Sequence, residues 1–117
     1  MTMTEFRAAI EAAAWAIYES PSLAASSGVP WYACLGQADL PDCQNNEKPP
    51  SLVAFPSAFE VNGTVRESVE YDLAGEVAGQ WIKLTAYAIP LDQALAALPR
   101  AKRMLRAAWM AAVEAGA

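Results

Sequence analysis

Between Thr64 and Leu73 apolar and polar side chains alternate. Val65, Val69, Tyr71 and Leu73 fall on one side, with Glu67 as the exception; Thr64, Arg66, Ser68, Glu70 and Asp72 fall on the other. A two-residue period is that of a strand with one dry and one wet face. Residues 81–89 predict a second strand, ending at Pro90, in which neither face is fully polar. Ile82, Leu84, Ala86 and Ala88 suit a face covered by helices, whereas Trp81, Lys83, Thr85, Tyr87 and Ile89 make the opposite face amphipathic. Leu91, Leu95, Leu98, Leu105, Trp109, Ala112 and Val113 then follow helical spacing, with Asp92 as the expected N-cap. Pro99 removes a hydrogen bond inside that pattern. Either the helix kinks there, or a short helix gives way to a second one starting near Pro99.

The first part of the chain predicts another helix. Thr2 and Glu5 have capping-box spacing. Phe6, Ile10, Ala13 or Ala14, and Ile17 mark one face, widened by Trp15 and Tyr18, so the helix is expected to run to Glu19–Ser20, where Pro21 restrains the preceding residue. Residues 20–30 form a connection in which a helical turn is expected at Ser22–Ala25, and Val29–Leu35 predicts a short strand that Pro30 confines to an edge or a strand start. Residues 37–50 are polar and proline-broken, an extended loop. Ordering such a loop costs about 1–2 kcal/mol per residue, and it reads either as a surface excursion or as a segment ordered against a partner.

Leu52–Phe55 and Ala58–Val61 flank Pro56 and predict a strand bent at that proline. Asn62-Gly63 invites a two-residue hairpin turn, but that would pair Phe59 with Arg66. A three-residue loop over 62–64 pairs Val61 with Val65 and keeps one face dry, with Gly63 at positive φ. Residues 74–80, containing Gly75 and Gly79, predict a flexible connection. The order of elements reads as α+β: one domain over 1–117, an antiparallel sheet of three to four strands with N-terminal and C-terminal helices packed on one face.

At 117 residues the chain can bury one core. Hydrophobic residues make up 55% and charged residues 18%. Close packing of the many alanines accounts for that excess; so does apolar surface that is buried on assembly. The net charge of −5 argues against general nucleic-acid binding. Yet four of the eight basic residues, Arg100, Lys102, Arg103 and Arg106, lie close together. They read as a solvated helix face or as a patch that meets an acidic neighbour. Glu5, Arg7 and Glu11 interrupt any leader-like apolar run, and no stretch is long and apolar enough for a membrane helix, so a soluble protein made in the cytoplasm is expected.

Catalytic chemistry is hard to place. The chain has no His and two cysteines, Cys34 and Cys43. Structural zinc normally needs four N or S ligands, so no metal is expected, and two thiols are the commoner state in a cytoplasmic protein. No phosphate-binding glycine loop or Ser/His/Asp set is present. Glu67, on the inward side of its predicted strand, is the one candidate for a carboxylate of raised pKa; pairing at a strand edge is the simpler reading. No catalytic residue and no cofactor is expected.

Several stretches together resemble the tail terminator and tail-completion (neck) proteins of long-tailed bacteriophages: Thr4-Glu5-Phe6-Arg7-Ala8-Ala9, the Pro-flanked strand 52–61, the strand Trp81–Ile89 ending in Pro90, and the following helix. The resemblance implies a non-catalytic virion protein that forms a ring, typically a hexamer, on the end of the tail tube. There it ends tube growth and meets the head-tail connector. Its implied partners are itself, the tail tube protein and the connector proteins, with no membrane and no sequence-specific nucleic acid. A head-to-tail ring needs two different complementary patches on each subunit. The candidates are Trp81, Lys83 and Tyr87; the acidic pair Glu70 and Asp72; and the basic run Arg100, Lys102, Arg103 and Arg106, which could meet acidic groups on a neighbour. Loop 37–50 would project toward the next ring. The alternative is a small acidic inhibitor or immunity-type protein that blocks a basic protein surface.

Overall fold

The computed structural model describes residues 1–23, 29–36, 40, 49–56, 59–61, 64–66 and 70–116. Among these, the elements in chain order are α1 (Met3–Ala12), β1 (Ala16–Glu19), β2 (Trp31–Cys34), β3 (Ser51–Pro56), β4 (Phe59–Val61), β5 (Thr64–Arg66), β6 (Glu70–Val77), β7 (Gln80–Lys83), β8 (Ile89–Pro90), α2 (Leu91–Ala96) and α3 (Leu98–Gly116). The fold is α+β. The main sheet is antiparallel in the order β1-β2-β3-β6-β7, with β8 also paired to β6, and β4–β5 form a separate hairpin. The sheet therefore has more strands than the three or four expected.

The extra strand β1 arises because α1 stops early. Its start is as expected: the Thr2 hydroxyl accepts from the Glu5 N–H while the Glu5 carboxylate accepts from Thr2. Its end is a Schellman turn. The Trp15 N–H donates to the Ile10 carbonyl (3.3 Å) and the Ala14 N–H to that of Glu11 (3.1 Å), with Ala14 left-handed at φ 68°. That turn buries Trp15 together with Ile10 and sends Ala16–Glu19 away as a strand. The helical spacing of Ile17 and Tyr18 is thus a coincidence of position. The turn also overcomes the strain of a left-handed alanine, roughly 1–2 kcal/mol.

Three further expectations are corrected. The segment 74–80 is no loose connection: β6 continues through Val77 and turns into β7 at Ala78-Gly79, both at positive φ (51° and 80°), the pattern of a type I′ hairpin. At 62–64 the loop has two residues, because Val61 pairs with Thr64 and Phe59 with Arg66. These strands form a two-stranded sheet apart from the main one, with the register that the parity argument sets aside. Gly63 and Glu67 lie outside the described residues, as do most of 37–50 and Cys43. Finally, 81–89 is two strands rather than one. After Lys83 the chain leaves the ladder, and Asp92 sits in the first turn of α2, where Pro90 is the N-cap. The helix beyond it breaks at Ala97, so Pro99 occupies the first turn of α3, where its missing N–H is harmless.

Register assigns each strand residue to a face. Leu52 pairs with Gly75 and Ala33, and Ala54 with Leu73, so these share one side of the sheet. On that side they form one core with Phe6 and Ile10 of α1, Leu91 and Ala94 of α2, and Leu98, Ala101, Leu105 and Trp109 of α3. Helices α1, α2 and α3 therefore cover the same face. The closest approach is at Gly75, where an added Cβ would run into the Leu105 Cδ2 and lie 3.2 Å from the Ser51 carbonyl oxygen. Glycine is what lets α3 settle directly on the central strand.

A second detail seals the break between β7 and β8. The Leu84 N–H donates to the Leu73 carbonyl (2.9 Å), and the buried Thr85 hydroxyl accepts from the Leu73 N–H (3.1 Å). A side chain thus supplies the acceptor that a continuous strand would have offered.

Two stability predictions follow from these contacts. Gly75→Ala is expected to cost about 1–3 kcal/mol by overpacking against Leu105, and clearly less in a Leu105→Ala background; urea denaturation of the four chains reads both. Thr85→Val is expected to cost about 1–3 kcal/mol by orphaning the Leu73 N–H, while Thr85→Ser keeps most of the stability, by the same measurement.

Candidate functional site

Helices α1 to α3 do not reach the other face of the sheet, against which a short helical stretch at 21–23 lies. Parity puts Tyr18, Tyr32, Cys34, Ser51, Val53, Phe55, Asp72, Ala74, Glu76, Trp81 and Lys83 on it, with Glu70 at its end beside Pro90. Four of these are aromatic. Tyr18 stacks on Tyr32 with centroids 5.5 Å apart, and Phe55 meets Trp81 edge-on at 6.0 Å. Such pairs hold their rings in fixed orientation. Trp81 remains 57% exposed and Tyr18 48%. Large aromatics left this open are unusual away from interaction surfaces.

Between the two aromatic pairs the sheet has a cavity of about 220 Å³. Tyr32, Ser51, Val53, Glu76 and Trp81 form its floor and walls, and the turn after β1 adds Ser20, Ser22 and Leu23. This turn explains why Ser51 and Val53 are buried although they face away from the helices. The turn is set by the Ser20 N–H donating to the Pro30 carbonyl (2.8 Å) and the Leu23 N–H to that of Ser20 (3.1 Å). The site therefore combines aromatic walls, serine hydroxyls and a carboxylate.

Register along β6 and β7 puts Trp81, Lys83, Glu70 and Asp72 on this one face, whereas the sequence alone gives them as two separate patches. Tyr87 is separate: it stands on the loop between β7 and β8, 79% exposed. The basic run is on the far side of the molecule. α3 turns Leu98, Ala101, Leu105 and Trp109 to the sheet, so its other side points away. Arg100, Arg103 and Arg106 are exposed there, while half-buried Lys102 lies over the Trp15 ring, 5.8 Å from its centroid. Residues three apart on a helix are about 60° apart around its axis, so the three arginines share an arc of about 120°. Met110, 38% exposed, follows them along the helix. No carboxylate lies within ion-pair distance of these arginines among the described residues.

Arg7 is the contrasting case. Its guanidinium donates to Glu19 (2.5 Å) and Glu11 (3.4 Å) and lies over Trp31 at 6.0 Å, tying α1 to β1 and β2. The Glu19 hydrogen bond, against some desolvation and with help from Glu11, raises its pKa above the usual value. Arg7 is thus committed within the chain, unlike the arginines of α3. Among the described residues no group of three His, Cys, Asp or Glu side chains is placed to hold a metal ion, and no helix is long and apolar enough to cross a membrane.

Glu76, Tyr18, Tyr32 and Phe55 belong to this face but escape a reading of the sequence alone. Residues 16–19 fit a helical period and 74–80 looked like a connection, so nothing local placed them beside Trp81. Fold and site together define a small sheet-and-helix module with one aromatic and acidic sheet face and one arginine-bearing helix face. Compared with known protein families, curated proteins and solved structures, the chain finds no match.

Proposed function

We propose that this chain is a structural, non-catalytic subunit of a long-tailed bacteriophage. It forms a ring at the head-proximal end of the tail, ends growth of the tube and joins it to the head connector. The observation that carries this reading is the presence of two unlike surfaces on opposite sides of one subunit. A symmetric dimer needs only one self-complementary patch; a ring needs two different ones, each matched to the other. The aromatic residues of the sheet face suit it to lasting burial, since interface cores favour Tyr, Trp and Phe. Its partners are then further copies of itself, the tail tube protein and the connector, and its place is the virion. The resemblance of the Thr4–Ala9 start, the Pro-flanked strand and the strand ending at Pro90 supplies the phage assignment.

The carboxylates beside Trp81 also favour a second reading, an acidic inhibitor of a basic protein surface. Such an inhibitor has no use for an outward arc of arginines, which would be repelled by a basic target. Sedimentation velocity of the purified chain from micromolar to millimolar concentration, with negative-stain images of the largest species, separates the two. The expected result is a concentration-dependent closed ring. A chain that stays monomeric throughout would overturn the ring reading.

A further inference from the structure

The ring reading leaves open how neighbouring copies meet. We infer that they meet edge to edge: β7 of one copy pairs with β1 of the next, so that the main sheet continues from subunit to subunit. This rests on the ring reading and names the contact that closes it.

The first ground is the backbone. β1 and β7 are the two ends of the sheet, and among the described residues neither has a strand on its outer side. The Leu84 N–H donates to the Leu73 carbonyl, so alternation along the ladder puts Trp81 and Lys83 in the pairs that exchange no hydrogen bonds. Their N–H and C=O groups point out of the sheet. At the other end the Ser20 N–H donates to the Pro30 carbonyl, and the same alternation turns the backbone groups of Ile17 and Glu19 outward. Each edge thus offers donors and acceptors spaced for one further strand.

The second ground is direction. Four antiparallel steps separate β1 from β7, so the two edges run the same way. Successive copies around a ring are related by a rotation well short of a half-turn, which keeps strand direction and joins unlike edges in parallel. A two-fold axis would instead join like edges antiparallel. Within one chain the edges stand about 19 Å apart, four strand spacings, so their pairing joins different copies.

The third ground is the side chains. The two exposed aromatic residues of the sheet, Trp81 and Tyr18, stand on the two edge strands. Each leans on a half-buried ring further in, Phe55 and Tyr32 respectively. In the matching register Trp81 lies opposite Tyr18 of the next copy, its N–H donating to the Ile17 carbonyl there and its carbonyl accepting from the Glu19 N–H. Phe55, Trp81, Tyr18 and Tyr32 then form one row across the junction, and the rings that a single copy leaves open are covered.

Two experiments on the full chain test this. Lys83→Pro removes an N–H that the single chain does not use, a change that an edge strand tolerates, whereas Lys83→Ala removes the side chain and keeps the N–H. By sedimentation velocity the proline variant is expected to associate about tenfold more weakly or worse, and the alanine variant like wild type, with circular dichroism identifying folded variants. If the proline variant does not fold, cross-linking decides. In a chain with Cys34→Ala and Cys43→Ala, single variants Trp81→Cys and Tyr18→Cys are oxidised with diamide, separately and mixed. The mixture is expected to give a disulfide-linked dimer that neither gives alone. Wild-type rings together with a folded proline variant that assembles as well as the alanine one would overturn the edge pairing and leave the ring reading standing. So would a mixture that links no better than its components, or Trp81→Cys linking readily to itself. A wild-type chain that never associates would overturn both.

Discussion

The contact between Leu105 and Gly75 sets the architecture. A sheet whose central strand carried a larger side chain there would hold the last helix further off, and the core beneath it would open. With glycine, α3 lies on β6, and the apolar residues of all three helices converge on one side. Among the described residues the second face meets only the helical stretch at 21–23. Most two-layer proteins make such a face polar; here Tyr18, Tyr32, Phe55 and Trp81 occupy it. The composition, rich in apolar residues and poor in charge, thus has two causes: alanines that allow close helix packing, and aromatics on the second face, of which Trp81 and Tyr18 stand exposed.

The same arrangement separates the charges. Acidic residues of β6 that alternate with its core positions must emerge on the second face, and basic residues of α3 that alternate with its apolar stripe must emerge on the opposite side. Net charge conceals this polarity. Surfaces of opposite charge attract one another over distances of about a Debye length, near 10 Å at ordinary salt. Arg7 illustrates the alternative: bound to Glu19 and Glu11, it serves only to fasten α1 to the sheet edge.

Local signals were legible in the sequence, and the relations between distant elements were not. The capping box at Thr2 and Glu5, the alternation of Tyr71 and Leu73 with Glu70 and Asp72, and the restart of the helix near Pro99 are all properties of a few adjacent residues. The end of α1 was hidden because an alanine, rather than a glycine, takes the left-handed position at residue 14. The hairpin at 78–79 was hidden in the same way, by Ala-Gly where Asn-Gly would have announced it. The break after Lys83 depends on a Thr85 hydroxyl reaching a backbone N–H twelve residues earlier. The candidate surface was half visible: parity paired Trp81 with Lys83 and Glu70 with Asp72, but only the strand order and register join the two pairs to each other and to Tyr18, Tyr32 and Phe55.

The central claim is that the exposed aromatics of the second sheet face, Trp81 and Tyr18, are open in the single chain and closed by a neighbour. Hydroxyl-radical footprinting read by mass spectrometry, on dilute and on concentrated protein, measures this residue by residue. Trp81 and Tyr18 should be oxidised readily in dilute solution and protected on assembly, while buried Trp31 and Trp109 stay protected in both. Equal labelling of Trp81 in both states, or its protection in the dilute monomer, would contradict the account.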